Sequence, residues 1–552
     1  MQEFASGFDD LVAAAARAIL GFGCVPDDYP PELLTGDALE GALADAPAAD
    51  RGLLDYDTLD RAHTRLFLPT RLKGVGLRRA SSIVDAAFVG AVNDAVPRFI
   101  DVTTSAGRAA PGFFTAQLTT VLGRGSFNPS PHAHRYQSLL QNDPVYAAEL
   151  TGAWERMQTH TAGHTHGDEN PLQLPAAQAK GSQHLLTTLL EAADAHRLDA
   201  AIATLGNTRE AVLYRSIDRY SAAWCSALPS TAGKRLTGRE LREVAASYLG
   251  LPSPALLHSA GQAVIRRPGG PPVALDLHGD RLVNATLPAG APREMTWRAG
   301  HDELVDTLQR ESHALRVNVR TEVDDLFHAA MPAHHPRGGH AGRNVVPDAV
   351  VDLHTYLGVD DEGRRQWSTT TTTTLLEVKT MRVATRYWNC AADRRAVDQY
   401  AAYLPGKAKR ALKAADRAAH GTAADATGPM ETMFNNMAYH GVCFGHWGEA
   451  SKPVDGVVRA IAHSACKRTP AQGPVYKKRE TQEDMVASHL RHVLAVTAVR
   501  ASARLLLARV PLVGTNTTDA LRRAAVCSRA HSVAVQALSQ ISALAPLVTS
   551  SA

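Results

Sequence analysis

The sequence predicts an α+β or α/β protein in which mostly helical N-terminal and C-terminal regions flank one β-bearing segment. Three observations carry this. Ala, Leu and Arg abound while aromatic residues make up only 6%, a balance that favours helices. Apolar residues recur at helical spacing over most of the chain. Only after residue 345 do Val, Thr, Leu and aromatic residues gather in the pattern of a pleated surface.

A chain of 552 residues is too long for one core, so about two to four domains are expected. Hydrophobic content of 45% and charged content of 20% are those of an ordinary globular protein. The formal net charge is +3, so affinity for nucleic acid would need local clustering of charge. Cys24, Cys225, Cys390, Cys443, Cys466 and Cys527 lie far apart with no CxxC pair. That argues against a disulfide framework or an intact cysteine zinc site and fits a reducing compartment. The N-terminus carries acidic residues and no apolar signal region, and no stretch reaches the roughly 18 apolar residues of a membrane span. An intracellular chain with no membrane partner is expected.

Taken in order, residues 8–23 predict a helix ending at a glycine pair. Residues 24–60 are rich in Pro, Asp and Ala and read as loop. RLFLPTRLKGVGLRRASSIVDAAFVGAV, residues 65–92, combines a Leu-Pro start, a small-residue turn at Gly74–Gly76 and an apolar helix. Helical patterns fill 113–160 and 183–205. Between them a polar loop holds His164, His166 and Asp168, which nothing in the pattern fixes as a metal site. Residues 208–260 read as helical with a break at 229–233, and the stretch after them as short β or irregular structure. A helix starts at Asp302. VVPDAVVDLHTYLG and WSTTTTTTLLEVKTM, joined by VDDEGRRQ, predict a β-hairpin in which Thr369–Thr374 extends the second strand. Then come a helix over 390–417, broken or kinked at Pro405, a strand leading to a turn over 438–449, a helix over 452–468, and apolar helix again after 471.

The chemistry concentrates in Pro347-Asp348 and Glu377-Val378-Lys379. Side chains alternate along a strand, so Glu377 and Lys379 share a face and Val378 points into the core. The hairpin brings Asp348, at the start of the first strand, near Glu377, towards the end of the second. Two close carboxylates repel each other unless a cation sits between them. Hard oxygen ligands suit Mg²⁺ or Mn²⁺. Such an ion binds a scissile phosphate and activates a water, and Lys379 can orient or deprotonate that water. Glu322, read as helical in TEVDDLF, can reach the same ion. Asp352 shares the strand parity of Asp348 and is its rival as first ligand.

This arrangement of Glu322, Pro347-Asp348 and Glu377-x-Lys379 resembles the restriction-endonuclease-like superfamily, PD-(D/E)xK. The resemblance implies a small mixed sheet flanked by helices, and Mg²⁺-dependent cleavage of DNA phosphodiesters. It also implies that the following helix lends basic or aromatic residues, for which Gln399, Tyr400, Lys407 and Lys409 are candidates. A second resemblance extends the first. LPTRLKGVGLRRASSIVDAAFVGAV is similar to the segment after the palm in non-LTR reverse transcriptases. RAGHDELVDTL, 298–308, resembles the RHD-like helix start that precedes the nuclease core of those polyproteins. FGHWGEASKPVDGVVRAIA, 444–462, resembles the segment after that core. The counterpart of their Cys/His cluster keeps His258 and His278 but no cysteine, so no zinc is expected. No YxDD-like setting exists for the paired aspartates of a polymerase: Asp9-Asp10 and Asp324-Asp325 lie in predicted helices. The resemblance implies a chain beginning downstream of the palm, nuclear residence, and DNA or an RNA–DNA hybrid as partner.

On this reading residues 1–160 are a helical thumb- or connector-like region and 161–300 a helical linker with the degenerate Cys/His-type segment. Residues 301–470 are the nuclease-like domain and 471–552 a C-terminal helical region. From Glu377 to Arg417 there are ten Lys/Arg against four Asp/Glu, an excess absent from the chain as a whole. Arg382, Arg386, Arg394, Arg395, Lys407, Lys409, Arg410 and Lys413 can reach phosphates, and Tyr387 and Trp388 can stack on bases. The same residues could equally form a solvated basic face over two core aromatics. Two other readings of the whole stay open: a catalytically inactive nucleic-acid-binding relic, and a helical structural protein in which ExK is accidental.

Overall fold

In the computed structural model, the residues described are 2–20, 56–80, 83–84, 182–256, 264–265, 273–287, 289–332, 346–361, 365–383, 385–388, 390, 394–468 and 479–514. They form a mixed helix-and-strand protein. The chain divides into two compact units: Met1–Ala18, His63–Thr204 and Val533–Ala552 in one, Ile19–Ala62 and Leu205–Ser532 in the other.

In the first unit the helices Gln2–Leu20 and Ser182–Thr204 stand where helical spacing placed them. Leu68, Pro69 and the turn through Lys73 and Gly74 make the tight unit expected from Leu-Pro and the small residues. Val75 and Leu77 return to bond the carbonyls of Arg65 and Leu66. A side chain on Gly74 would meet the Leu68 carbonyl oxygen at 1.9 Å, so only glycine permits this return. The helix expected after it, and those over 113–160 with His164, His166 and Asp168, fall almost wholly outside the described residues.

The second unit is built on a four-stranded sheet. We label its main elements α1 (Arg209–Ser216), α2 (Gly238–Leu249), α3 (Trp297–Ala314), β1 (Val319–Thr321), β2 (Ala349–Val359), β3 (Arg365–Thr380), α4 (Ala396–His420), α5 (Pro429–Asn435), β4 (Ala438–Phe444), α6 (Lys452–Arg468) and α7 (Arg479–Arg509). Strand order is β1-β2-β3-β4. β1 and β3 run antiparallel to β2, while β4 runs parallel to β3. A parallel neighbour needs a long crossover, and α4 with α5 supplies it. The hairpin expected at 346–379 is the β2–β3 pair.

Alternation along β2 and β3 sends side chains to two cores. Val351, Leu353, Leu376 and Val378 pack with Leu304 and Leu308 of α3, Val454, Val458 and Ile461 of α6, and Leu490 and Leu494 of α7. Val350 and Leu375 pack on the opposite side with Ala408, Leu412 and Ala415 of α4 and Met430 and Phe434 of α5. Each large apolar side chain buried this way contributes roughly 1.5–3 kcal/mol. Helices therefore cover both faces of the sheet, and α7, in the region after 471, belongs to the same core.

Three details differ from the sequence reading. Helix α3 begins at Trp297, before Asp302, and so includes His301. Glu322 is not helical: it follows the short strand β1 with φ at 49°, a left-handed turn that ends the strand. Helix α4 continues through Pro405 without a break. Proline removes the N–H that would bond the Ala401 carbonyl. That carbonyl instead faces Gly441 of β4, where an added Cβ would meet it at 2.8 Å.

Near the other end of the unit, Val264–Ile265 pairs antiparallel with Val273–Ala274 and with Val513–Gly514, the short β structure expected after residue 260. No helix among the described residues is long and apolar enough to cross a membrane. Cys443 and Cys466 are buried, and Cys225 and Cys390 half-buried.

Candidate active site

The register of the hairpin assembles the site. Ala349 pairs with Leu376, so Asp348, one residue before β2, stands beside Glu377. Both carboxylates and Lys379 lie on the sheet face turned towards α4, as parity requires. The Lys379 ammonium lies 3.0 Å from Asp348 Oδ2 and 2.7 Å from Glu377 Oε1, and donates to the Val378 carbonyl at 2.9 Å. Asp348 Oδ2 also accepts the Val378 backbone N–H at 2.8 Å. The carboxylate thus clasps the adjacent strand while facing the lysine. Asp348, Glu377 and Lys379 side chains are each a little under one-fifth exposed, buried enough to interact strongly and open enough to be reached.

His301 completes the cluster from α3. Its Nε2 is 3.2 Å from Asp348 Oδ1 and its Nδ1 is 3.0 Å from Asp302 Oδ1. The contact with Asp348 is close but off the line of a good hydrogen bond. Sequence reasoning did not assign His301 to the site. The signal was present in RAGHDELVDTL, but the helix was started one residue too late to include it.

Burial and charge set the protonation of the group. Burial pushes the Glu377 carboxyl above its ordinary range, and the Asp348 charge adds to the effect. Burial acts on Asp348 in the same direction, but His301 and Lys379 outweigh it and hold that carboxyl low. Lys379 is raised, because Asp348 and Glu377 more than offset the burial that would discharge it. His301 is raised too: burial opposes its charge, and Asp348 and Asp302 favour it. The two acids are therefore unlike, one firmly ionised and one reluctant. On the neighbouring strand, burial drives the Cys443 thiol up to about 12, which rules out a ready thiolate nucleophile.

The other expected site residues are dispersed. Glu322 is exposed; its backbone N–H donates to the Asp348 carbonyl at 3.3 Å, while no polar contact joins its side chain to the cluster. Asp352 lies farther along β2, exposed, accepting from Thr373 at 2.8 Å, so Asp348 and not its rival faces Glu377. Lys407 is exposed on α4, and its charge favours the ionised form of Glu377. Lys409 pairs with the buried Glu431 at 3.2 Å, with Lys413 at 3.7 Å from the same carboxylate. Arg395 binds Asp218 at 2.5 Å and Asp398 at 2.9 Å, tying the start of α4 to its surroundings. Those cations serve the fold. Arg382 is half-buried, 3.4 Å from the Val283 carbonyl. Arg394 is exposed, Arg410 lies over the Tyr403 ring, and half-buried Tyr400 stacks near Tyr403. The side chain of Arg386 lies outside the described part. Tyr387 is a core residue, fully buried and donating to Glu449 at 2.6 Å.

His278, from the segment compared with a Cys/His cluster, is buried with Nδ1 3.1 Å from the Leu251 carbonyl, and burial holds its imidazole neutral, down to about 3. His258 lies outside the described residues. Among those residues no three His, Cys, Asp or Glu side chains are grouped to hold a metal. The donor set at the sheet is two carboxylates already facing one cation, the Lys379 ammonium. Such a pair fits a hard divalent ion whose remaining ligands are water or substrate oxygens. No protein-family model matches the chain, and no curated protein is significantly similar to it.

Proposed function

We propose that the second unit is a metal-dependent DNA endonuclease of the PD-(D/E)xK type, derived from a retroelement. The single observation that supports it most is one ammonium within 3.0 Å of both Asp348 and Glu377 at the end of a hairpin. A helix–sheet–helix layering with a parallel β3–α4–β4 crossover agrees with the restriction-endonuclease-like core the motifs resemble. The reading of ExK as accidental needed Asp348 and Glu377 far apart, and this spacing weighs against it.

In this proposal Asp348 and Glu377 hold Mg²⁺ or Mn²⁺, which supplies Lewis acidity at the phosphate and a water of lowered pKa. Lys379 places a positive charge beside the attacking water and the scissile phosphate. His301 orients Asp348, fixing which carboxylate oxygen faces the cation seat. The reluctance of Glu377 to ionise makes it the acid most dependent on a neighbouring cation. Lys407 is the exposed cation best placed to meet the flanking phosphate, whereas Lys409 and Arg395 are withdrawn from that role by their internal ion pairs.

The test is nicking of supercoiled plasmid with Mg²⁺ or Mn²⁺. The wild-type protein should cut and Glu377→Ala should not. Equal nicking by both would remove the assignment. Salt-dependent DNA binding without cutting by any divalent ion would select the inactive relic instead.

A further inference from the structure

A groove of about 160 Å³ opens where the reactive strand ends. Its lining includes Thr380, Met381 and Arg382, which directly follow Lys379, Trp297 and Gly300 at the start of α3, and the small side chains of Ala498 and Ala501 of α7. Gly300 and Ala501 approach so closely that a Cβ on the glycine would stand 2.9 Å from the alanine Cβ. The volume is many times the ~10–15 Å³ of such space that one water needs, room for a planar ring.

Trp297 is 46% exposed, an unusual position for so large an apolar ring. It sits edge-on to His301, with ring centroids 6.5 Å apart, and His301 in turn touches Asp348. The exposed indole is therefore one helical turn from the candidate centre. The groove border is polar: Arg382 brings positive charge, and Glu303 is fixed by Arg500 at 2.8 Å and by Arg504 at 3.1 Å, with Arg504 also paired to Glu240 at 2.6 Å. Small apolar side chains, an aromatic rim, a cation and a fixed ion-pair network suit a flat group with polar edges attached to an anion. A free anion would meet the carboxylates of Glu294 and Glu303.

We propose that this groove receives a nucleobase of the DNA strand being cut, unpaired from its partner and stacked on Trp297 beside the scissile phosphate. The inference rests on the nuclease reading and deepens it, since it names the substrate form. A base inside an intact duplex cannot enter such a groove, so DNA that is unpaired at the cut is the favoured substrate over fully paired DNA.

The experiment measures fluorescence anisotropy of short labelled duplexes with the full chain in EDTA, so that binding is read without cleavage. One duplex is fully paired and the other carries a short central bubble. The wild-type protein should bind the bubble about tenfold more tightly, the scale of one base–aromatic stack. Trp297→Ala should erase that preference and Trp297→Phe should keep most of it. A 2-aminopurine in the bubble should be quenched by the wild type and not by Trp297→Ala. Equal binding of the two duplexes, or a preference that survives Trp297→Ala, overturns the groove assignment whether or not the protein cuts. A Trp297-dependent preference in a protein that never nicks supports the groove as a base-binding site and removes only the nuclease reading.

Discussion

His301 Nε2 lies 3.2 Å from Asp348 Oδ1, so a helix and a strand remote in sequence meet at the carboxylate that also contacts Lys379. In the proposed site His301 would act on the bound cation through Asp348. A partner in that position typically matters by about 10–100-fold in metal affinity or activity. His301→Gln should therefore lower plasmid nicking by about that factor and weaken Mn²⁺ binding, read by electron paramagnetic resonance. Asp348→Asn should abolish both. A His301→Gln protein with wild-type Mn²⁺ affinity and wild-type nicking would remove the positioning role.

Glu377 gives a stability prediction of opposite sense to its activity prediction. Its carboxyl is raised by burial and by Asp348, so its contribution to folding is present at acid pH and is lost as pH rises through its folded-state value. Glu377→Gln removes that loss. The melting temperature of the variant relative to wild type should therefore increase between acid pH and pH values well above the carboxylate range, while nicking disappears. A variant that grows relatively less stable with rising pH would contradict the placement of this carboxylate.

Glu449 is the clearest pH-linked group in the fold. It is completely buried, accepts from Tyr387 at 2.6 Å and from the Trp447 N–H at 3.1 Å, and burial raises it from 4.5 to about 8. A raised acid stabilises the protein below its unfolded value and loses that contribution as pH rises through the folded one. The wild type should therefore lose stability relative to Glu449→Gln from about pH 4.5 to about pH 8. Thermal melts of the two proteins across that window measure it, and parallel curves would refute it.

Gly441 marks the closest approach of α4 to the sheet. A methyl group there would stand 2.8 Å from the Ala401 carbonyl oxygen and 2.9 Å from its Cα. Both are backbone atoms, so relief requires moving α4. Gly441→Ala should destabilise by about 1–3 kcal/mol in denaturant titration. An unchanged midpoint would mean that the helix moves aside freely.

Lys407 and Lys409 should separate by readout. Lys409→Met leaves the buried Glu431 short of a partner and should lower the melting temperature with little change in DNA affinity. Lys407→Met should weaken DNA binding and flatten its salt dependence, with little change in stability. The reverse outcome would reinstate Lys409 as a phosphate contact.

The hairpin was legible because two β-branched runs flank turn residues, and the shared face of Glu377 and Lys379 follows from strand parity alone. The clasp of Asp348 on the Val378 N–H was not read from the sequence. Other features were not legible, for physical reasons. β1 is three residues long, too short to show alternation, so TEVDDLF read as helix and Glu322 was drawn into the site. Pro405 predicts a break from local chemistry, but α4 is held along its length by apolar packing and by a strand that offers a glycine at the critical point. The basic run after Glu377 looks uniform in sequence. Its members diverge only once tertiary structure brings Asp218 to Arg395 and Glu431 to Lys409.

The six threonines Thr369–Thr374 offer β3 no landmark in sequence, although Thr373 bonds Asp352 and Thr374 is buried. What anchors the count lies at both ends: the Asp348 clasp on Val378, and Trp367 stacked on His463 with ring centroids 4.4 Å apart. Deleting two threonines would shorten the ribbon and keep every side chain on its side. Deleting one would force Trp367 to the far side or a bulge into the strand. The tract therefore tolerates changes in length by evenness, not by size.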